Sequence, residues 1–283
     1  MSGFSASWLA LREPADHRSR HAGLRARLIS ELGMRVPRDQ VLRVTDLGCG
    51  TGSNLRALAP GLHPRQAWRL VDYDPALLAE ARHQLMDWAD HSASSDGQII
   101  LIKDGNEIAV TFEQHDLNLH LEHVLGLPTD LLTAAAFFDL VSAPWIDRFC
   151  KSLTSVFYTV LTYDGHEQWL PKHAADTGMR EAFHAHQSTD KGFGIAAGPR
   201  ATGVMATTLS QSGFQVERAP SPWVLSQQGD GALMAALAQG AANAVSETGM
   251  LRPEDIQDWL DARQRAESCV VGHEDLLAIP PQS

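Results

Sequence analysis

Apolar side chains recur at one-turn spacing near the start of the chain, at Leu24, Leu28 and Leu32, and predict a helical segment over residues 1–40. Gly33 offers it a C-terminal stop, and the face between the leucines carries His17, Arg18, Arg20, His21, Arg25 and Arg27. From residue 41 the periodicity changes. Val41-Leu42-Arg43-Val44-Thr45-Asp46 is a short β-rich run that ends in a cluster of glycines. Residues 53–59 then read as a short helix stopped by Pro60-Gly61, and 67–72 as a second strand. Asp74 caps the next helix with Pro75 in its first turn, and Leu78, Ala81, Leu85 and Trp88 mark its buried stripe. Strand–helix–strand–helix with apolar strands predicts an α/β fold, an open parallel sheet covered on both faces.

The alternation pauses at 92–98, a Ser/Asp/Gly stretch that reads as a linker. Two β-rich runs, 98–103 and 107–114, flank Asp104-Gly105-Asn106, a strong hairpin signal. The second arm leads into His115-Asp116-Leu117 and reads as the third sheet strand. Of the two apolar runs at 129–135 and 137–141 only one can be the fourth strand. Taking 130–135 leaves 136–152 for the helix that a parallel crossover needs, capped by Ser142 and carrying Trp145, Phe149 and Leu153. Residues 156–162 form the fifth strand, ending at Tyr163-Asp164-Gly165, and 165–198 read as loop. A helix at 199–212, a strand at 214–218, helices at 230–247 and 253–267 and a final strand at 270–279 complete the reading.

Composition narrows the function classes. Of 283 residues 44 % are hydrophobic and 20 % charged, enough for a full core and unlike a disordered chain. The formal charge of -11 repels phosphate backbones and argues against a nucleic-acid partner. Cys49, Cys150 and Cys269 are scattered, as in a reducing compartment. With no signal peptide and no apolar run of membrane length, the expectation is a cytoplasmic enzyme, monomer or homodimer, acting on a small molecule without a membrane.

The candidate chemistry begins at Asp46-Leu47-Gly48-Cys49-Gly50-Thr51-Gly52, between the first strand and the first crossover helix. Glycines there allow a sharp turn and close approach to a ligand at a helix N-terminus. A GxGxxG dinucleotide loop would need glycine at 53, where Ser53 stands, and no Gly-Lys-Ser/Thr of a P-loop follows. Asp72, twenty residues after Gly52, ends the second strand and can accept both hydroxyls of a ribose. Asp116, ending the third, can accept from the exocyclic amine of adenine.

These residues resemble the motifs of the class I S-adenosylmethionine-dependent methyltransferases. The matching pieces are Val44-Thr45-Asp46-Leu47-Gly48-Cys49-Gly50-Thr51-Gly52, Leu70-Val71-Asp72-Tyr73-Asp74-Pro75, His115-Asp116-Leu117 and Asp130-Leu131-Leu132-Thr133-Ala134. The resemblance implies a Rossmann-like seven-stranded, mostly parallel sheet with helices on both faces. An extra β-hairpin arm and helical cap insertions would be added to it. It makes residues 1–283 one domain: an N-terminal cap at 1–40, a cofactor core at 41–164 and insertions at 165–198 and 228–268. S-adenosyl-L-methionine is the implied cofactor. Gly48, Gly50 and Gly52 would meet its methionine and adenosine parts, Asp72 its ribose and Asp116 its adenine amine. Tyr73 would lie on the adenine face, and Thr133 and Ala134 near the sulfonium. Asp46, Cys49, Asn54 and Leu117 belong to the same pocket, and Arg12 is a partner for the methionine carboxylate. Leu11-Arg12-Glu13-Pro14-Ala15-Asp16, His186-Gln187, Asp190-Lys191-Gly192-Phe193-Gly194 and Val271-Gly272-His273-Glu274-Asp275-Leu276-Leu277 resemble a bacterial branch of that superfamily whose substrate the sequence does not reveal.

Methyl transfer needs proximity and exclusion of water, and a general base only for a protonated acceptor. His186 and Tyr163 are the catalytic candidates, with Phe137, Asp164, His184 and Lys191 as substrate contacts. The plain alternatives are a polar surface loop for 184–191 and a core position for Phe137. Ser142-Ala143-Pro144-Trp145 is similar to the motif of amino-group methyltransferases acting on bases and glutamine, but lacks its first proline. His115, His120 and His123 lie close in sequence, yet no HExxH or zinc-like spacing is present and no metal is expected. An NAD-dependent oxidoreductase, a non-catalytic nucleotide sensor and a methyltransferase acting on protein or nucleic acid are the competing readings.

Overall fold

The computed structural model describes residues 4–95, 97–190 and 192–281. Five parallel strands form the centre: β1 (Leu42–Leu47), β2 (Arg65–Asp72), β5 (Asn106–Gln114), β6 (Leu131–Ala135) and β7 (Val156–Leu170). On one side β5 continues into antiparallel β4 (Gln98–Lys103) and β3 (His91–Ser95). On the other, β10 (Ser268–Ile279) runs antiparallel to β7 and pairs with β8 (Gln215–Pro220) and β9 (Trp223–Ser226). The order is β3-β4-β5-β2-β1-β6-β7-β10-β8, with β9 beside the first half of β10. Strand order reverses at β1, between β2 and β6, and the crevice at the carboxyl ends there is where open α/β sheets bind ligands. The expected Rossmann-like α/β fold is present.

Helices cover both faces. Helices α1 (Ala6–Ser19), α2 (Ala22–Arg35), α3 (Ser53–Leu58) and α4 (Pro75–Trp88) share one core with α7 (Asp176–Gln187), α9 (Gln227–Thr248) and α10 (Pro253–Arg263), built on Leu28, Leu32, Leu55, Trp68 and Trp259. Helices α5 (Leu121–Leu125), α6 (Ala143–Ser152) and α8 (Ala201–Gln211) close the second, around Phe138, Trp145, Phe149 and Phe157. Among the described residues no helix is long and apolar enough to cross a membrane.

Several elements differ from the sequence reading. The N-terminal helix is two helices, because His21 leaves the helical conformation and its Nδ1 accepts from Leu24 N at 3.1 Å as the cap of α2. That helix continues through Gly33, whose missing side chain faces open space. The stretch expected as a linker at 92–98 contains β3, an edge strand exposed throughout. Backbone pairing with β4 is enough to order it without apolar side chains. The 165–198 segment is not a loop: β7 runs on to Leu170 along β10, and α7 follows. After β6 the chain forms a 3₁₀ turn over Phe138–Leu140, not foreseen in the sequence, and α6 then starts at Ala143 with Ser142 as its cap, as expected. β9, too short for a periodic signal, has no counterpart in the sequence reading.

Candidate functional site

Three turns meet at the crevice. After β1, Gly48, Gly50 and Gly52 have φ of 62°, 52° and 79°. A side chain at 48 would put its Cβ 2.7 Å from the Phe137 ring, and one at 50 would come within 3.0 Å of Leu9 of α1. The loop is therefore held open for a close neighbour by glycine alone. Asp72 Oδ2 accepts from Gly50 N at 2.8 Å and Oδ1 from Asp74 N at 3.0 Å, which locks the loop to the end of β2. Burial pushes the Asp72 carboxyl up, against the pull of these N–H groups. At the end of β5, Asp116 Oδ1 accepts from Asn118 N at 2.8 Å, and its other oxygen takes no bond from a described residue. Tyr73 is exposed beside Asp72 and Leu117 is buried beside Asp116.

Beneath the loop lies a buried polar chain. Asn54 Nδ2 donates to Asp46 Oδ1 at 2.7 Å and to Thr133 Oγ1 at 3.1 Å, and Arg20 Nη1 donates to Asn54 Oδ1 at 2.7 Å. Asp46 is fully buried with Oδ2 unpartnered among the described residues, and desolvation raises its carboxyl to about 7. Ala134 is buried next to Thr133, and Cys49 is a buried thiol whose pKa burial pushes well up, so it is unreactive. Helix α1 closes the loop from above: His17 Nε2 lies 3.0 Å from Ser53 Oγ, and Arg56 Nε of α3 donates to Glu13 Oε1 at 2.7 Å. Arg12 is buried and paired with Asp16 through Nε at 2.9 Å and Nη2 at 3.1 Å, which leaves Nη1 for another partner.

A second cluster sits past the carboxyl end of β6, beside the middle of β7. Tyr163 is buried and its hydroxyl lies 3.0 Å from His184 Nε2 of α7. Burial raises the Tyr163 phenol, while burial and Arg180 lower His184, so the tyrosine is protonated and the histidine neutral near pH 7. His186 faces elsewhere, with Nε2 3.0 Å from Glu247 of α9. Asp164 is turned toward β10, where its Oδ1 would be 2.1 Å from a Cβ at Gly272, and it accepts from His166 N at 2.8 Å. Phe137 stands edge-on to Trp145 at 5.7 Å and to Phe193 at 6.0 Å. Phe193 belongs to a turn in which Asp190 Oδ1 accepts from Gly192 N and Gly194 N at 2.7 and 2.9 Å. Lys191, expected as a substrate contact, lies outside the described residues.

No family model matches the sequence, and neither does any curated protein. Among solved structures, the chain is similar to an S-adenosylmethionine-dependent methyltransferase of Geobacter sulfurreducens in complex with S-adenosyl-L-homocysteine. That similarity has 15% identity, 99% of this chain, 100% of that one and a TM-score of 0.45. A methyltransferase of Thiobacillus denitrificans, also with S-adenosyl-L-homocysteine, has 15% identity over 96% of this chain and 98% of its own, TM-score 0.44. YjhP of E. coli has 14% identity over 95% and 100%, TM-score 0.43. At such identities the similarity says nothing about what this chain acts on.

Three residues of the second cluster were not among the sequence candidates. Asp139, in the turn after β6, is buried, and desolvation raises its carboxyl to about 6 against the charge of Arg12 and a hydrogen bond from Gln187. Gln187 Nε2 donates to Asp139 Oδ2 at 3.2 Å. His273 of β10 is buried, 5.0 Å from the Trp223 ring and 6.3 Å from that of Tyr163, and burial lowers it to about 3. The signal for Asp139 was a lone acid inside the apolar run at 137–141; Gln187 and His273 stood in the sequence only within the pieces that resemble the bacterial branch. Rings of His115 and His120 approach to 5.5 Å, but among the described residues no group of three ligands is placed to hold a metal. A cavity of about 450 Å³ opens at the opposite, amino ends of β1, β6 and β7, lined by Arg43, Leu127, Thr129 and Ser155, away from these residues.

Proposed function

We propose that this chain transfers a methyl group from S-adenosyl-L-methionine to a small molecule. The carrying observation is the convergence of three strand ends: a glycine turn that tolerates no side chain, Asp72 beside it, and Asp116 with a carboxylate oxygen that takes no bond from a described residue. The residues fit the cofactor. The glycine backbone would take its methionine and sulfur region, Asp72 and Asp116 its ribose and adenine, and Tyr73 would cover the adenine face. Thr133 and Ala134 would border the sulfur, with Asp46, Asn54, Cys49 and Leu117 shaping the walls, and Arg12 Nη1, unpaired among the described residues, would meet the carboxylate. When bound, the cofactor supplies an electrophilic methyl group.

The chain's own residues position the acceptor and exclude water. Leu9 over Gly50 and Phe193 against Phe137 roof the site with apolar side chains. The hydroxyl of Tyr163 lies against neutral His184, which can take up its proton, so the pair can accept a proton from an acceptor hydroxyl or amine. Of the two histidines this favours His184 as the base and leaves His186 to join α7 to α9 through Glu247. Phe137, Asp164 and Lys191 remain acceptor contacts in this reading, and α7, α9 and α10 form its cap.

Calorimetry with S-adenosylmethionine and S-adenosylhomocysteine tests the assignment. Saturable binding of both is expected, with NADH inert in a fluorescence titration. Binding of NADH and neither sulfur nucleoside would overturn it.

A further inference from the structure

Asp139 and Gln187 meet past the carboxyl end of β6, beside Tyr163 in the middle of β7, and they are 8% and 9% exposed. The bond from Gln187 Nε2 to Asp139 Oδ2 fixes both side chains. Asp139 Oδ1 and Gln187 Oε1 are buried and make no hydrogen bond of regular geometry to a described residue, although the backbone N–H groups of Asp139 and Tyr163 lie near enough to pull the Asp139 carboxyl down. A buried acceptor left unpaired is costly, so two in one place ask for a ligand that brings donors. A carboxylate brings none, a hydroxyl one, and a primary ammonium three.

The charges facing the pair favour the ammonium. Arg12 of α1 is neutralised by Asp16, which also accepts from Trp223 Nε1 at 3.0 Å. His184 of α7 and His273 of β10 are held neutral by burial, and Tyr163 of β7 stays protonated. Arg180 acts on Tyr163, His184 and Glu167. The Asp139 carboxylate is left as the local negative charge.

We propose that the methyl acceptor is a small primary or secondary amine, bound as its ammonium form by Asp139 Oδ1 and Gln187 Oε1. This rests on the methyltransferase reading above. For an amine the Asp139 carboxylate, in place of the Tyr163–His184 pair, takes one proton from the ammonium, and the freed lone pair on nitrogen forms the new N–C bond to the methyl carbon. The C–S bond breaks as it forms, its electron pair stays on sulfur, and the methylated nitrogen carries the positive charge away.

The test is a binding titration with saturating S-adenosylhomocysteine at pH 7.5. The probes are methylamine, ethanolamine and benzylamine, compared with methanol, ethylene glycol and benzyl alcohol, and with benzoate. At least one amine is expected to bind ten-fold or more tighter than its alcohol, and benzoate not at all. Asp139→Asn should remove that preference while S-adenosylhomocysteine affinity stays within about two-fold, and Gln187→Met should weaken the amine several-fold. Equal binding of every amine and its alcohol overturns the proposal on the unaltered protein alone, whether or not the variants fold. So does an Asp139→Asn variant that keeps the preference, or one that loses the sulfur nucleoside equally, which would assign the pair to the cofactor. Failure of the unaltered protein to bind S-adenosylhomocysteine is a different result, and it removes the methyltransferase reading instead.

Discussion

Single residues set the limits of the site. Gly48 combines a φ of 62° with a neighbour 2.7 Å from where a Cβ would stand. A left-handed conformation costs a non-glycine residue roughly 1–2 kcal/mol before any clash is counted. Gly48→Ala is therefore expected to push Phe137 aside and weaken S-adenosylhomocysteine binding at least ten-fold, as calorimetry would read. Unchanged affinity would mean that the ligand does not touch this turn. Asp46 makes a pH prediction. An ordinary aspartate loses its proton near about 3.9, whereas burial holds this one until about 7. Between those values the unfolded chain has released a proton that the folded chain retains. Unliganded stability from this group falls as pH rises from 4 to 7 and is level above. In Asp46→Asn that loss is absent. The variant's stability minus that of the unaltered protein, by urea unfolding, should grow from pH 4 to 7 and then plateau. A difference that is flat with pH would show that Asp46 is not desolvated in this way.

Elements explain why part of this was readable in the sequence and part was not. β1, β2 and the 98–114 hairpin are legible because apolar alternation and turn residues are local, and Asp104 and Gly105 do take the positive φ their identities suggest. The glycine loop and Asp72 were legible for the same reason: one turn and one strand end carry the signal. Asp139, Gln187 and His273 come together only because β6, α7 and β10 converge, and no spacing along the chain records that. Helix α7 was hidden as well. Its polar sequence and its glycine are helical because Asp176 receives Nε1 of Trp259 and Nη2 of Arg263 from α10, at 2.8 and 2.6 Å. The docking of α1 is similarly tertiary. Glu13 is held by Arg56 of α3, with side chains 18% and 7% exposed. Glu13→Gln should cost about 1.5–3 kcal/mol of that contact and speed the release of S-adenosylhomocysteine several-fold in stopped-flow displacement. An unchanged release rate would show that α1 does not gate the site.

The whole molecule offers a simple check on occupancy. A ligand that binds only the folded state adds about 2.7 kcal/mol at one hundred times its Kd. S-adenosylhomocysteine should raise the melting temperature by several degrees and NADH should leave it in place. Equal shifts with both would mean that the crevice does not distinguish sulfur nucleosides from dinucleotides.

The position of β10 has a consequence for how the protein is made. It follows every other element in the chain, yet it lies inside the sheet, between β7 and the β8–β9 edge. Its buried Asp275 accepts from Leu161 N at 2.9 Å and from His21 N at 2.8 Å, and so fastens the N-terminal helices to the central strands. On a ribosome β7 is finished roughly a hundred residues before its partner, a wait on the order of 5–20 s at ordinary rates of synthesis. Throughout that interval the edge of β7 stands unpaired and the N-terminal helices lack the tie that Asp275 makes to the central strands. The nascent chain is then open to aggregation and to chaperones until β10 is made.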